Sequence, residues 1–156
     1  MKPPIEEALM PMLKVGDIAP GFSVLDHTGK EVALSNYQGK TVVMWFYPRA
    51  STGGWTAEGL GFQARIQEYN AKNVQILGVS TDGVDANAKF ATEQGFTYPL
   101  LCDTKREICL AYGACATAED GAAKRISYVI GPDGKVLQVH AEVVAREHPE
   151  TLLPTI

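Results

Sequence analysis

The chain is short of cysteine, of concentrated positive charge and of long apolar runs, and each shortage removes a class of function. Its three cysteines, Cys102, Cys109 and Cys115, include no Cys-x-x-Cys pair, which excludes a thioredoxin-type dithiol and does not suggest a disulfide framework. Their spacing fits no common zinc pattern, and His27, His140 and His148 are scattered, so no metal is expected. Basic runs stop at Lys105-Arg106 and Lys124-Arg125 and the formal charge is −4, which argues against a nucleic-acid partner. No apolar stretch reaches the roughly 18 residues of a membrane span, and Met1–Glu7 has no apolar signal-peptide core. No membrane association is therefore expected, and a cytosolic location is. Gly53-Gly54 is not followed by Lys-Ser/Thr, which excludes a P-loop and leaves no cofactor expected.

What remains is an ordinary soluble composition, with 46% hydrophobic and 21% charged residues over 156 positions, enough for one domain with one core. Residues 1–11, with three prolines and little periodicity, read as an N-terminal extension, and residues 12–156 as the domain. Phe22–Leu25 and Glu31–Ala33 flank Asp26-His27-Thr28-Gly29 and predict a β-hairpin. Thr41–Tyr47 is apolar almost throughout and ends at Pro48, the pattern of a strand buried on both faces. A helix is expected from about Trp55 to Asn70, with Phe62, Ile66 and Tyr69 as its buried stripe, and then a second buried strand over Val74–Ser80. Strand, helix, strand in so short a span is a βαβ unit with parallel strands. A helix over Asp85–Gln94 ends at Gly95. Thr104-Lys105-Arg106-Glu107 has the form of a capping box, opening a short helix that Gly113 closes. Strands over Arg125–Ile130 and Val136–His140 are joined by the turn Gly131-Pro132-Asp133-Gly134, and Pro149–Leu153 is a short last helix. A βαβ half followed by a ββα half is the thioredoxin-like α/β plan: a central mixed sheet with helices on both faces and an N-terminal hairpin.

In open α/β sheets the site lies beyond the carboxyl ends of the strands. Here that place reads Tyr47-Pro48-Arg49-Ala50-Ser51-Thr52-Gly53-Gly54-Trp55-Thr56-Ala57-Glu58. A helix N-terminus supplies free N–H groups and the positive end of a dipole, which favour an anion or a thiolate. The stretch resembles the peroxiredoxin signature Pro-x-x-x-Thr-x-x-Cys-Thr-x-Glu. Pro48, Thr52, Thr56 and Glu58 fall on matching positions and Trp55 falls on the cysteine. Arg125–Ile130 and the following Pro132-Asp133-Gly134 also resemble that family, most of all its peroxiredoxin Q, or bacterioferritin comigratory protein, branch, over about residues 12–141.

The resemblance implies the peroxiredoxin subclass of the thioredoxin-like fold and a thiol peroxidase that reduces hydroperoxides with a thioredoxin-like reductant. A thiolate in the first turn attacks the O–O bond and becomes a sulfenic acid. By the resemblance Thr52 and Arg125 would hold thiolate and peroxide, and Pro48 would shield them from water. A second cysteine five residues on, at the place of Leu60, forms a disulfide with the first in many members of this branch. Trp55 has one N–H donor and no proton to lose near neutral pH, so it cannot supply the thiolate. The expectation is a peroxiredoxin scaffold without thiol peroxidase activity, serving by binding or assembly, with a homodimer as one form. Arg125 is expected under the Trp55 helix, where it offers a place for a hydroperoxide or small anion. Glu58 is expected in the first turn against the helix dipole. Trp55 reads as a packing residue and Thr52, on its own, as a turn or cap residue. The competing expectation is a redox enzyme using a remaining cysteine. Cys102 is its best candidate because Lys105 and Arg106 follow it, and Cys109 with Cys115 could bridge if their Cα atoms lie within about 7 Å.

Overall fold

A computed structural model describes residues 12–50, 53–117, 123–141 and 147–156, without the side chains of 53–55; the extension read over 1–11 lies outside the described residues. The expected hairpin forms as β1 (Ser23–Leu25) and β2 (Glu31–Ala33), paired antiparallel. Its turn is held by Asp26, whose Oδ1 accepts from the Thr28 and Lys30 N–H groups at 2.8 and 3.1 Å, while Gly29 takes the left-handed φ of 82°.

The main sheet has the order β5-β4-β3-β6-β7. Its centre is β3 (Thr41–Phe46), parallel to β4 (Val74–Ser80) and antiparallel to β6 (Ser127–Ile130). Beyond these lie β5 (Leu100–Cys102), parallel to β4, and β7 (Val136–His140), antiparallel to β6. Side chains alternate across a strand, so β3 feeds two cores. Val42, Met44 and Phe46 face the hairpin and the Ile108–Tyr112 region, whereas Val43, Trp45 and the following Tyr47 face Phe62, Tyr69, Phe90 and Leu152. The mixed sheet with helices on both faces is as the sequence predicts. The Arg125 strand begins two residues later than expected, at Ser127, although the Phe46 N–H still donates to the Ile126 carbonyl at 2.8 Å.

Two expectations are corrected. The single helix over 55–70 is two helices, α1 (Gly53–Ala64) and α2 (Ile66–Ala71). Arg65 leaves helical geometry at φ −112°, ψ 16°, and its N–H bonds Phe62 in a tightened turn. Phe62 and Tyr69 are fully buried as expected, but Ile66 only half so. After α3 (Val84–Gln94), closed by left-handed Gly95 as predicted, the capping box of Thr104 and Glu107 is not used. The short helix α4 (Glu107–Ala111) starts two residues later than a Thr104 cap would place it, and the buried Asp103 carboxylate accepts its Ile108 and Cys109 N–H groups at 3.1 and 2.7 Å. Asp103 is anchored in turn by its N–H on the Ser80 carbonyl, so the cap comes from the sheet rather than from the turn. The last helix, α5 (His148–Leu152), runs into a 3₁₀ turn over Leu153–Thr155 and is tied down by the Tyr69 hydroxyl on the Pro149 carbonyl at 2.7 Å.

The aromatic face of β3 needs a small neighbour. Gly78 on β4 lies opposite both Trp45 and Leu100, and a Cβ there would meet Leu100 Cδ2 at 2.7 Å and Tyr47 Cε1 at 3.1 Å. Gly78→Val is expected to destabilise the fold by about 1–3 kcal/mol through overpacking, read as a lower urea midpoint at unchanged slope. A midpoint equal to the parent's would show that the Trp45 layer yields freely.

Candidate functional site

The loop after β3 is held from below by a buried polar network. Tyr47 prolongs the strand, its N–H on the Val79 carbonyl at 3.0 Å, and its hydroxyl donates to Asn87 Oδ1 at 2.7 Å. Asp82 Oδ2 accepts the Ala50 N–H at 2.7 Å and the Ser80 hydroxyl at 2.9 Å. Asn87 Nδ2 donates to Ser80 Oγ at 3.2 Å and to Cys102 Sγ at 3.4 Å. These contacts fix where the loop leaves the sheet, with Pro48 half-buried and Arg49 exposed. Sequence reasoning passed over Ser80, Asp82 and Asn87. The signal for them was positional: Ser80-Thr81-Asp82 follows the carboxyl end of the second parallel strand, at the end of the sheet where the loop was sought.

The loop delivers the chain into α1, whose first turn contains Gly53, Gly54 and Trp55. The N-terminus of a helix, with the positive end of its dipole, therefore lies at the expected place. Thr52 and the Trp55 indole lie outside the described residues. Leu60 is 41% exposed, on the solvent side of α1.

Glu58 is not the first-turn surface carboxylate expected. It lies in the second turn, fully buried, and neither carboxyl oxygen has a hydrogen-bond partner among the described residues. Burial pushes its pKa up to about 8, and the Arg125 guanidinium pulls against that rise without cancelling it. Two conclusions follow. Arg125, half-buried just ahead of β6, is near enough to α1 for its charge to act on Glu58. And near neutral pH Glu58 keeps its proton, so it is a neutral group that can itself donate one hydrogen bond.

The three cysteines are buried, with Cys102 at 4%, Cys109 at 0% and Cys115 at 1% exposure. The expectation that Lys105 and Arg106 lower the Cys102 pKa is overturned. Burial raises it, as do the charges of Asp26 and Asp82, against a smaller opposing effect of the Asn87 hydrogen bond. Burial and Asp103 push Cys109 up further. A redox role for Cys102 or Cys115 as a reactive thiol called for solvent access and a low pKa; neither is exposed, and the Cys102 pKa moves the wrong way.

A second polar cluster, unmarked in the sequence reading, lies under α5. Ser127 Oγ and His148 Nε2 are 2.7 Å apart, both residues buried, and the His140 and His148 rings are 4.8 Å between centroids. Burial lowers His148 to about 4, and the charge of His140 adds to the shift.

The AhpC/TSA family model matches residues 15–139. The chain is 34% identical to peroxiredoxin Bcp of Escherichia coli K12 over 147 residues, covering 90% of this chain and 94% of that protein. Among solved structures it is similar to peroxidoxin BcpB from Mycobacterium tuberculosis, with a TM-score of 0.85 and 34% identity over 92% of this chain and 96% of that one. A PrxQ mutant from Xylella fastidiosa superposes with a TM-score of 0.85 at 26% identity, covering 93% and 96% of the two chains.

Proposed function

The chain belongs to the AhpC/TSA family of peroxiredoxins, and from that premise we propose that it is a peroxiredoxin scaffold which has lost thiol peroxidase chemistry and acts by binding. The observation that carries this reading is Trp55 in the first turn of α1, where the family signature has its attacking cysteine. A peroxidase needs a thiolate there, and indole has no ionisable proton to lose near neutral pH. Leu60 likewise removes the second thiol of the helix. What stays is a loop braced by Asp82, a helix N-terminus, and the positive charge of Arg125 close enough to α1 to act on Glu58. That set suits a hydroperoxide or a small anion such as a carboxylate. Three thiols free of disulfides suit a cytoplasmic setting.

The test is hydrogen peroxide consumption by the unaltered protein with a dithiol reductant, followed by mass spectrometry of the three cysteines. Consumption is expected to match the protein-free blank, with no sulfenic acid at Cys102, Cys109 or Cys115. Turnover above the blank would overturn the reading, and the oxidised residue would name the nucleophile.

A further inference from the structure

We propose that Cys109 and Cys115 are a dithiol pair that closes to an intramolecular disulfide by exchange with a low-molecular-weight disulfide, giving the chain a two-electron redox site separate from the Trp55 loop. The geometry comes from the way α4 ends. Gly113 takes the left-handed φ of 73° and reverses the chain, so its N–H bonds the Leu110 carbonyl and the Ala114 N–H bonds that of Cys109 at 2.7 Å. The reversal carries one residue further: the Cys115 N–H also donates to the Cys109 carbonyl, at 3.1 Å. A single N–H···O=C link between two residues holds their Cα atoms within about 7 Å, the outer reach of a disulfide.

Reach alone is not enough, since the side chains must also converge. Both enter one apolar cluster with Ile108, Tyr112, Ala123 and Ile126, and the two thiols hydrogen-bond each other there. Cys102 is not a rival partner. It ends β5, with its sulfur held by Asn87 Nδ2 and directed at the Leu100 carbonyl. The Cys109 thiol also hydrogen-bonds Asp103, the carboxylate that caps α4. Closure of the bridge gives up that bond, and the Asp103 oxygens keep the backbone N–H groups of Ile108 and Cys109.

The step is ordinary thiol–disulfide exchange. One cysteine, as thiolate, attacks the S–S bond of the reagent, forms a mixed disulfide and releases one reagent thiol. The second gives up its proton and attacks the protein sulfur of that mixed disulfide. The Cys109–Cys115 bond forms and the second reagent thiol leaves. Both electrons and both thiol protons end on the two reagent thiols. Because the sulfurs are buried, exchange waits on local opening around Gly113 and is slow.

The test equilibrates the full native chain with glutathione buffers of increasing oxidised fraction, quenches with acid, alkylates, and reads intact mass and peptides. Two of the three thiols are expected to vanish together with a loss of about 2 Da, leaving Cys102 alkylated and a Cys109–Cys115 linked peptide. Cys102→Ser is expected to oxidise the same way. Three alkylated cysteines at the most oxidising buffer, glutathione adducts alone, or any bridge through Cys102 would overturn the proposal. These results bear on exchange and not on peroxide turnover, so they leave the reading of the Trp55 site to its own test.

Discussion

Trp55→Cys is expected to turn an inert protein into one that consumes hydrogen peroxide and carries a sulfenic acid at residue 55. The position lies in the first turn of α1, and the loop before it is pinned by the Ala50 N–H on Asp82. A thiol placed there meets the positive end of the helix dipole, which lowers its pKa and favours the thiolate at neutral pH. Arg125 supplies positive charge nearby, and the buried Glu58, held at about 8, does not compete for it while protonated. In the Trp55→Cys background, removal of the guanidinium by Arg125→Gln is expected to slow peroxide reduction on the order of 10²–10³-fold, the usual worth of a preorganised charge at a reacting oxygen. Leu60 cannot resolve the oxidised residue, so the sulfenic acid should accumulate until an external thiol reduces it. Adding Leu60→Cys should divert it into an internal disulfide. A folded Trp55→Cys protein whose thiol titrates near the ordinary 8.5 and ignores peroxide would sink the idea that the pocket survives around residue 55.

Much of this architecture is legible in the chain because its signals are local. The continuous apolar run through Thr41–Phe46, the glycines at 95, 113 and 134 with positive φ, and the Asp26 turn each state their own conformation. The errors fall where a residue answers to something distant in sequence. Asp103 replaces Thr104 as the helix cap because the Ser80 carbonyl fixes its backbone from across the sheet. Glu58 reads as a surface carboxylate on a helix, and only the packing of α1 onto the Trp45–Tyr98 layer buries it: the Tyr98 hydroxyl reaches the neighbouring Gly59 carbonyl at 3.0 Å. Cys102 follows the same logic, since two basic residues just beyond it in sequence suggest a low pKa while burial and two aspartates set it high. The loop signature is visible in sequence because its spacing is short, and the braces under the loop are not, because Asp82 and Asn87 reach it from other elements.

Two buried groups are expected to confine stability to a narrow pH range, with a maximum near pH 6. Glu58 has a folded pKa of about 8 against 4.5 when exposed, so the folded state retains a proton that the unfolded chain releases. That contribution is complete below about 4.5 and is lost as pH rises to about 8. His148 runs the other way, at about 4 when folded against 6.5. The unfolded chain takes up a proton that the folded state refuses, so stability is present above 6.5 and is lost as pH falls to about 4. His27 and His140 are pushed down by burial as well and steepen the acid side. At 1.36 kcal/mol per unit each of the two large shifts is worth a few kcal/mol, a sizeable part of the 5–15 kcal/mol that holds a typical domain together. Between about 4.5 and 6.5 the two slopes oppose one another, and above 6.5 only that of Glu58 remains. Glu58→Gln is therefore expected to abolish the loss between pH 6.5 and 8 and to leave the acid loss in place. His148→Gln is expected to remove much of the acid loss and expose the full decline from about pH 4.5 upward. Urea unfolding of the three proteins at half-unit intervals of pH reads both slopes. An alkaline decline that persists unchanged in Glu58→Gln would mean that Glu58 is ionised in the folded protein and balanced by Arg125. The same result would place a carboxylate charge beside the Arg125 guanidinium on which peroxide chemistry at residue 55 is expected to depend.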